Sequence, residues 1–191
     1  MPESKPPLPF AGQSLGQLAA AIEARGGGAP VDRWNPAHCG DSGMRIARDG
    51  TWFHHGSPIP RPAMVRLFST VLRREADGSH VLVTPVEKLS IEVESTAFRA
   101  LEMTSEGEGE ARRLAFRLNS GDVVIAGPDH PIAMKDGTPR LAVRHGLEAE
   151  LSRPLYYELA EIALAEGREP PGVWSDGAFF ALAEPGPPLT P

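Results

Sequence analysis

The chain has 191 residues, with 19 basic against 25 acidic side chains and a formal net charge of −6. Of the three lysines only Lys88 and Lys135 lie beyond the N-terminal tail, and there is no basic block, so the footprint of a nucleic-acid surface is missing. No apolar run approaches the ~20 residues that cross a bilayer, and the single cysteine, Cys39, rules out an internal disulfide and fits a reducing compartment.

The opening MPESKPPLPF lacks the basic-then-apolar order of a secretory signal, so the cytoplasm is the expected compartment. Residues 1–12 are Pro-rich and read as a tail. Ser14 and Gln17 form a capping box for an N-terminal helix that Gly26-Gly27-Gly28 ends. Residues 29–43 read as irregular. MRIA, the Arg48-Asp49-Gly50 turn and TWFHH make a hairpin, and Arg61 to Arg74 a helix burying Met64, Phe68, Val71 and Leu72. HVLVT (80–84) is a strand, and in 88–94 Leu89, Ile91 and Val93 alternate with polar residues, the mark of a half-exposed strand.

Residues 98–103 and 112–118 should pair as a hairpin around SEGEGE, with further strands at 122–126 and 140–145. Ser152 is the expected N-cap of a helix running from Arg153-Pro154 to Glu166, and GVWSDGAFFALA a last strand. About nine mostly antiparallel strands and three helices imply an α+β fold.

Two stretches repeat. DGTWFHHG (49–56) and DGTPRLAVRHG (136–146) each lead through an Arg-Pro into an apolar-periodic run. From the Arg-Pro onward they align without gaps at an offset of 92, placing Arg61, Pro62, Leu67 and Leu72 on Arg153, Pro154, Leu159 and Leu164. Internal similarity of this kind implies two copies of one supersecondary unit. Each copy is too small to sustain a core alone, so the halves should pack together. The expected segments are an N-terminal tail and helix (1–28), a first half (29–104), a second half (105–183) and a C-terminal tail (184–191). Residues 44–94 and 123–183 should match as strand-turn-strand-loop-helix-strand units.

The motifs of chemistry are thin. His54 and His55 are adjacent on a strand and face opposite ways, so they cannot jointly chelate one ion. His38, Cys39 and Asp41 lack further ligands at zinc spacing, Ser42 has no sequence partner that would make it a nucleophile, and neither a P-loop nor GxGxxG is present. No catalytic residue, metal site or cofactor is expected. The candidate ligand contacts are Arg45, Arg61 and Lys88 for anionic groups, with Trp52 and Trp174 for stacking on a flat molecule.

From Trp34 onward the chain resembles the bacterial family Domain of Unknown Function 1285. The resemblance lies in Cys39-Gly40-Asp41, Met44-Arg45-Ile46, DGTWFHHGSPI (49–59), VRLFSTVLRRE (65–75) and VTPVEK (83–88). It continues through NSGDVVIAGPDHPI (119–132), HGLEAELSRPLYYEL (145–159) and GVWSDGAFF (172–180). The resemblance implies a duplicated α+β core, a second half similar to a pleckstrin-homology fold, and a nucleotide-like small molecule bound between the halves in a signalling role. The expectation is therefore a cytoplasmic, non-enzymatic binding protein. Its rivals are a hydrolase of a small phosphorylated metabolite using Asp41 and His55, and a protein-interaction module with no small ligand.

Overall fold

The computed structural model describes residues 29–183. They form two compact units, one of residues 29–45 and 52–92 and the other of residues 46–51 and 93–183. Among the described residues there are fourteen strands and two α-helices, so the α+β class stands with strands dominant. The N-terminal helix expected from Ser14 to Ile22 lies outside the described residues. No described helix is long and apolar enough to cross a membrane.

The first unit contains β1 (His38–Ile46), β2 (Trp52–His54), β3 (Ser57–Pro58), α1 (Pro62–Thr70), β4 (Leu72–Arg74), β5 (His80–Val83) and β6 (Lys88–Val93), the last residues of β1 and β6 being grouped in the other unit. Their sheet order is β3-β2-β1-β6-β5-β4. The second unit contains β7 (Phe98–Glu106), β8 (Arg113–Leu118), β9 (Val123–Ile125), β10 (Ile132–Lys135), β11 (Thr138–Arg144), β12 (Leu147–Leu151), α2 (Arg153–Glu166) and a separate hairpin, β13 (Gly172–Ser175) with β14 (Ala178–Ala181). Read from its far edge, the second sheet runs β9-β8-β7-β12-β11-β10. That is the first order with every strand number raised by six. Each sheet is two three-stranded meanders joined through the first strand of one and the last strand of the other, and in the second unit this seam, β7 with β12, is parallel.

The sequence repeat sits one level below. It relates the first meander, β1-β2-β3 followed by α1, to the fourth, β10-β11-β12 followed by α2. In both, the second and third strands are joined by a His-Gly turn, with φ of 47° at His55 and 79° at Gly56, and 50° at His145 and 75° at Gly146. Positive φ at both central residues gives the turn whose twist suits a two-residue hairpin, and glycine bears it at least cost. In both copies a proline follows at the start of the helix, where its missing N–H costs nothing. The copies differ in setting: β3 is a sheet edge, whereas β12 lies at the seam.

Several elements depart from their sequence-based limits. The helix expected over 61–74 stops at Thr70, and Leu72–Arg74 pair with β5, Leu72 opposite Leu82. GVWSDGAFFALA is two strands, because Asp176-Gly177 turns with φ of 49° and 77°. The 29–43 stretch holds a 3-10 turn (Val31–Arg33) and the start of β1. The Arg73 guanidinium fixes that turn, donating to the carbonyls of Val31 at 2.6 Å and Trp34 at 2.7 Å and to the Glu75 carboxylate at 2.9 Å.

Alternation and helical period fill the cores. In the first unit Trp52, Phe68, Leu72, Leu82 and Val83 are buried, and in the second Phe98, Phe116, Leu141, Leu151 and Leu159. The Ser175 hydroxyl, fully buried in the second unit, donates to the Ala126 carbonyl at 2.7 Å and accepts the Leu114 N–H at 2.9 Å. One side chain thus ties the β13-β14 hairpin to the main sheet.

Candidate functional site

Alternation along the strands of the first unit decides which side chains can share a pocket. Ser42 and Met44 on β1 point to one face and Arg45 to the other. On that other face the Arg45 guanidinium lies 4.4 Å from the centre of the Phe53 ring, a cation–π contact. Leu82 on β5 and Leu89 on β6 are direct cross-strand partners, which places Lys88, opposite Val83, on the face away from Leu89. On α1, Met64 and Phe68 are one turn apart and project together.

The face that carries Ser42, Met44, Met64, Phe68, Leu82 and Leu89 holds a partly open cavity of about 310 Å³. Its walls are mainly apolar, with Met44 from β1, Met64 and Phe68 from α1, and Leu82 and Leu89 from the sheet; Ile59 and Val71 complete them. Behind Phe68, and stacked on it at 6.1 Å between ring centres, Trp52 is only 2% exposed. The polar lining is Ser42, His54, Thr84 and Glu87. The Ser42 hydroxyl donates to the Ser90 carbonyl at 2.7 Å and accepts the Met44 N–H at 3.1 Å. Thr84 Oγ1 accepts the Glu87 N–H at 3.1 Å, closing the β5-β6 turn. The Glu87 side chain is exposed and carries no hydrogen bond or ion pair among the described residues. A pocket of this size, apolar with a few polar groups, has the form of a small-molecule site.

The five residues singled out from the sequence do not line this cavity. Arg45, Trp52, Arg61 and Lys88 belong to the first unit and Trp174 to the second. Arg45 and Lys88 are half-buried on the opposite sheet face, Trp52 is core, and Arg61 is exposed at the N-cap of α1. Trp174 is half-buried in β13, beside Phe179 and with the Arg168 guanidinium 5.2 Å from its ring centre. His55 packs against Gly43, while Asp41 Oδ1 accepts the Gly43 N–H at 2.8 Å in an exposed turn. Among the described residues no group of three or more His, Cys, Asp or Glu side chains is placed to hold a metal ion.

Two carboxyls have acidities shifted by their turns. The Thr51 N–H, donating to Asp49 Oδ1 at 2.9 Å, holds Asp49 below the usual carboxylate range, and the Ser79 hydroxyl does the same to Asp77. Both turns are exposed. A second concavity, of about 340 Å³, lies in the second unit near Asp129, His130 and Asp176, where Asp176 pairs with Arg113 at 3.4 Å.

Comparison with known proteins places these features in a family. A family model described as "Domain of unknown function (DUF1285), N-terminal domain" matches residues 29–96. A second, "Protein of unknown function (DUF1285), C-terminal domain", matches residues 97–182. The crystal structure of a DUF1285 family protein from Silicibacter pomeroyi DSS-3 is similar at 44% identity and a TM-score of 0.79, over 91% of this chain and 97% of that one. A DUF1285 family protein from Shewanella baltica OS155 shares the fold at 22% identity and a TM-score of 0.52, over 62% of this chain and 91% of that one. A search of curated proteins gives no significant match.

Proposed function

The chain belongs to the Domain of Unknown Function 1285 family, and from that premise we propose that it is a small-molecule-binding protein whose ligand occupies the cavity of the first unit. The observation that carries this reading is the cavity itself: about 310 Å³, walled by Met44, Met64, Phe68, Leu82 and Leu89, with four polar residues, Ser42, His54, Thr84 and Glu87, in the lining. An open apolar concavity of this size offers a small apolar molecule a place to leave water.

Binding rather than catalysis is supported by the state of the polar lining. A nucleophilic serine needs a base to take its proton, whereas the Ser42 hydroxyl donates to a backbone carbonyl. A nucleotide would need cationic partners for its phosphates, and among the described residues no Lys or Arg lines the cavity. The nucleotide-like reading therefore belongs to Arg45, Arg61 and Lys88, which lie outside it. Part of the same proposal is pleckstrin-homology-like character for the second half, supported by six mainly antiparallel strands followed by one helix. On this reading the protein reports ligand occupancy, in keeping with the signalling role that the resemblance implies, and does so in the cytoplasm.

The test is a thermal-shift panel of nucleotides and small apolar or amphipathic molecules. We expect saturable, reversible stabilisation by members of the second group, which are recovered unchanged, and its loss in Met64→Trp, where an indole fills the cavity mouth. Conversion of a bound compound would favour an enzyme. If no compound shifts the melting temperature and a protein co-purifies instead, the interaction-module reading replaces this one.

A further inference from the structure

The chemistry of the cavity's ligand follows from what its walls have left unsatisfied, and this step rests on the reading of the cavity as a ligand site. We infer that the ligand is an amphiphile with an apolar body and a cationic head, an amine-bearing chain or small ring system, seated with its head at Glu87.

The body is set by volume and lining. An apolar cavity of roughly 150 Å³ accommodates one benzene ring. The present one, at about 310 Å³, has room for about twice that, on the order of ten heavy atoms. Its deep walls, Phe68 and Leu82, are buried and offer no hydrogen-bonding atom, so a polar group placed there would lose its water without compensation.

The head is set by charge and hydrogen-bonding roles. Ser42 and Thr84 have their oxygens engaged by Ser90, Met44 and Glu87 backbone groups. Glu87 is the one carboxylate among the described lining residues, and an ionised carboxylate only accepts hydrogen bonds. A carboxylate or phosphate head would meet it as a like charge, with no Lys or Arg among the described lining residues to offset it. An ammonium donates to it and is attracted by it. His54, the other titratable lining group, stands on β2, an element apart from the β5-β6 turn that carries Glu87. Because Glu87 is exposed, the contact is a solvated one at the rim. It sets preference among heads, while the apolar body supplies most of the affinity.

Full-length protein should be titrated at pH 8 and low salt with n-octylamine, n-octanol and n-octanoate, the amine and the carboxylate below their micelle concentrations and octanol below its solubility limit. Octylamine should bind about three- to five-fold more tightly than octanol, the range of an exposed ion pair, and octanoate most weakly. High salt should shrink that order. Glu87→Gln should bring octylamine to the level of octanol and leave octanol unchanged, and Glu87→Lys should favour octanoate. Glu92→Gln, an exposed carboxylate outside the cavity lining, controls for general attraction by a chain of net charge −6 and should change nothing. If octanol matches octylamine in the wild type, or Glu92→Gln erases the preference as fully as Glu87→Gln, the cationic head is wrong while the cavity reading survives. If none of the three binds and Met64→Trp behaves as wild type, the cavity reading falls with it.

Discussion

The imidazole of His55 occupies the space that a side chain at Gly43 would need. A Cβ built there would stand 2.7 Å from Nδ1 of the ring, and Gly43 itself has φ of +66°. The His55 N–H also donates to the Gly43 carbonyl at 2.8 Å, so ring and backbone fix the same approach. Gly43→Ala should therefore destabilise through both strain and overlap, by about 2–3 kcal/mol in denaturant titration. Gly56→Ala, at φ of +79° with open space around its Cβ, should cost only the backbone part, about 1 kcal/mol. The double variant Gly43→Ala/His55→Ala should recover the overlap component. Strict additivity in that cycle would show the ring is not the obstacle.

The two leucines of α2 that the repeat makes equivalent to α1 and β4 positions have opposite fates. Leu159 is fully buried and Leu164 is 73% exposed. Leu159→Ala should cost about 2–5 kcal/mol by leaving a cavity. Leu164→Ala should fall within about 0.5 kcal/mol of wild type. Equal losses at the two sites, measured by chemical denaturation, would mean that the helix presents a different face.

Ser175→Ala tests the link between the β13-β14 hairpin and its sheet. The change removes no volume to speak of but leaves the buried Leu114 N–H and Ala126 carbonyl without a partner, a loss of about 1–3 kcal/mol. Hydrogen exchange should show Leu114 and the hairpin amides opening before the rest of the second unit. Uniform exchange across the unit would contradict a local role.

Asp49 gives a pH dependence with a definite sign. Its folded-state acidity is raised by the Thr51 N–H, so its pKa lies below the ordinary 3.8. A depressed carboxyl contributes stability that is present above the unfolded value and lost as pH falls through the folded one. Stability curves for wild type and Asp49→Asn should therefore run closer together as pH drops below about 4. Because the group is fully exposed, the effect should be small. A gap that widens on acidification would reverse the assignment.

Much of this architecture could be read from residue order, and the failures have physical causes. The alternation in 88–94 and the Arg153-Pro154 start of α2 name their elements directly, while Ser152 stands at the N-cap position without a side-chain capping hydrogen bond. Helical spacing continues past Thr70 and extends the expected helix through Leu72. Pairing with Leu82 in the sheet overrode it. At Leu72 and Leu164 the gapless alignment itself parts, one residue in a strand and the other in a helix. The Asp176-Gly177 turn carries the same signal as Asp136-Gly137, but the apolar residues on both sides of it read as one continuous strand. The second and third meanders share the topology without the motif, so the repeat showed two modules where four are present. The cavity was unreadable for a different reason: Met64, Phe68 and Leu82 look like ordinary core, and an absence of filling atoms belongs to no single residue.

The parallel seam between β7 and β12 has a consequence for how the second unit assembles. Within each meander every pairing is between neighbours in the chain and can close quickly, but Phe98 meets Ala149 only after some fifty intervening residues are in place. Loop closure of that length is an entropic barrier that local hairpins do not face. The kinetics of this unit should therefore be governed by the meeting of two preformed ribbons. Substitutions at Ala100 or Ala149, small residues buried along that line, should slow refolding more than equally destabilising changes within either ribbon.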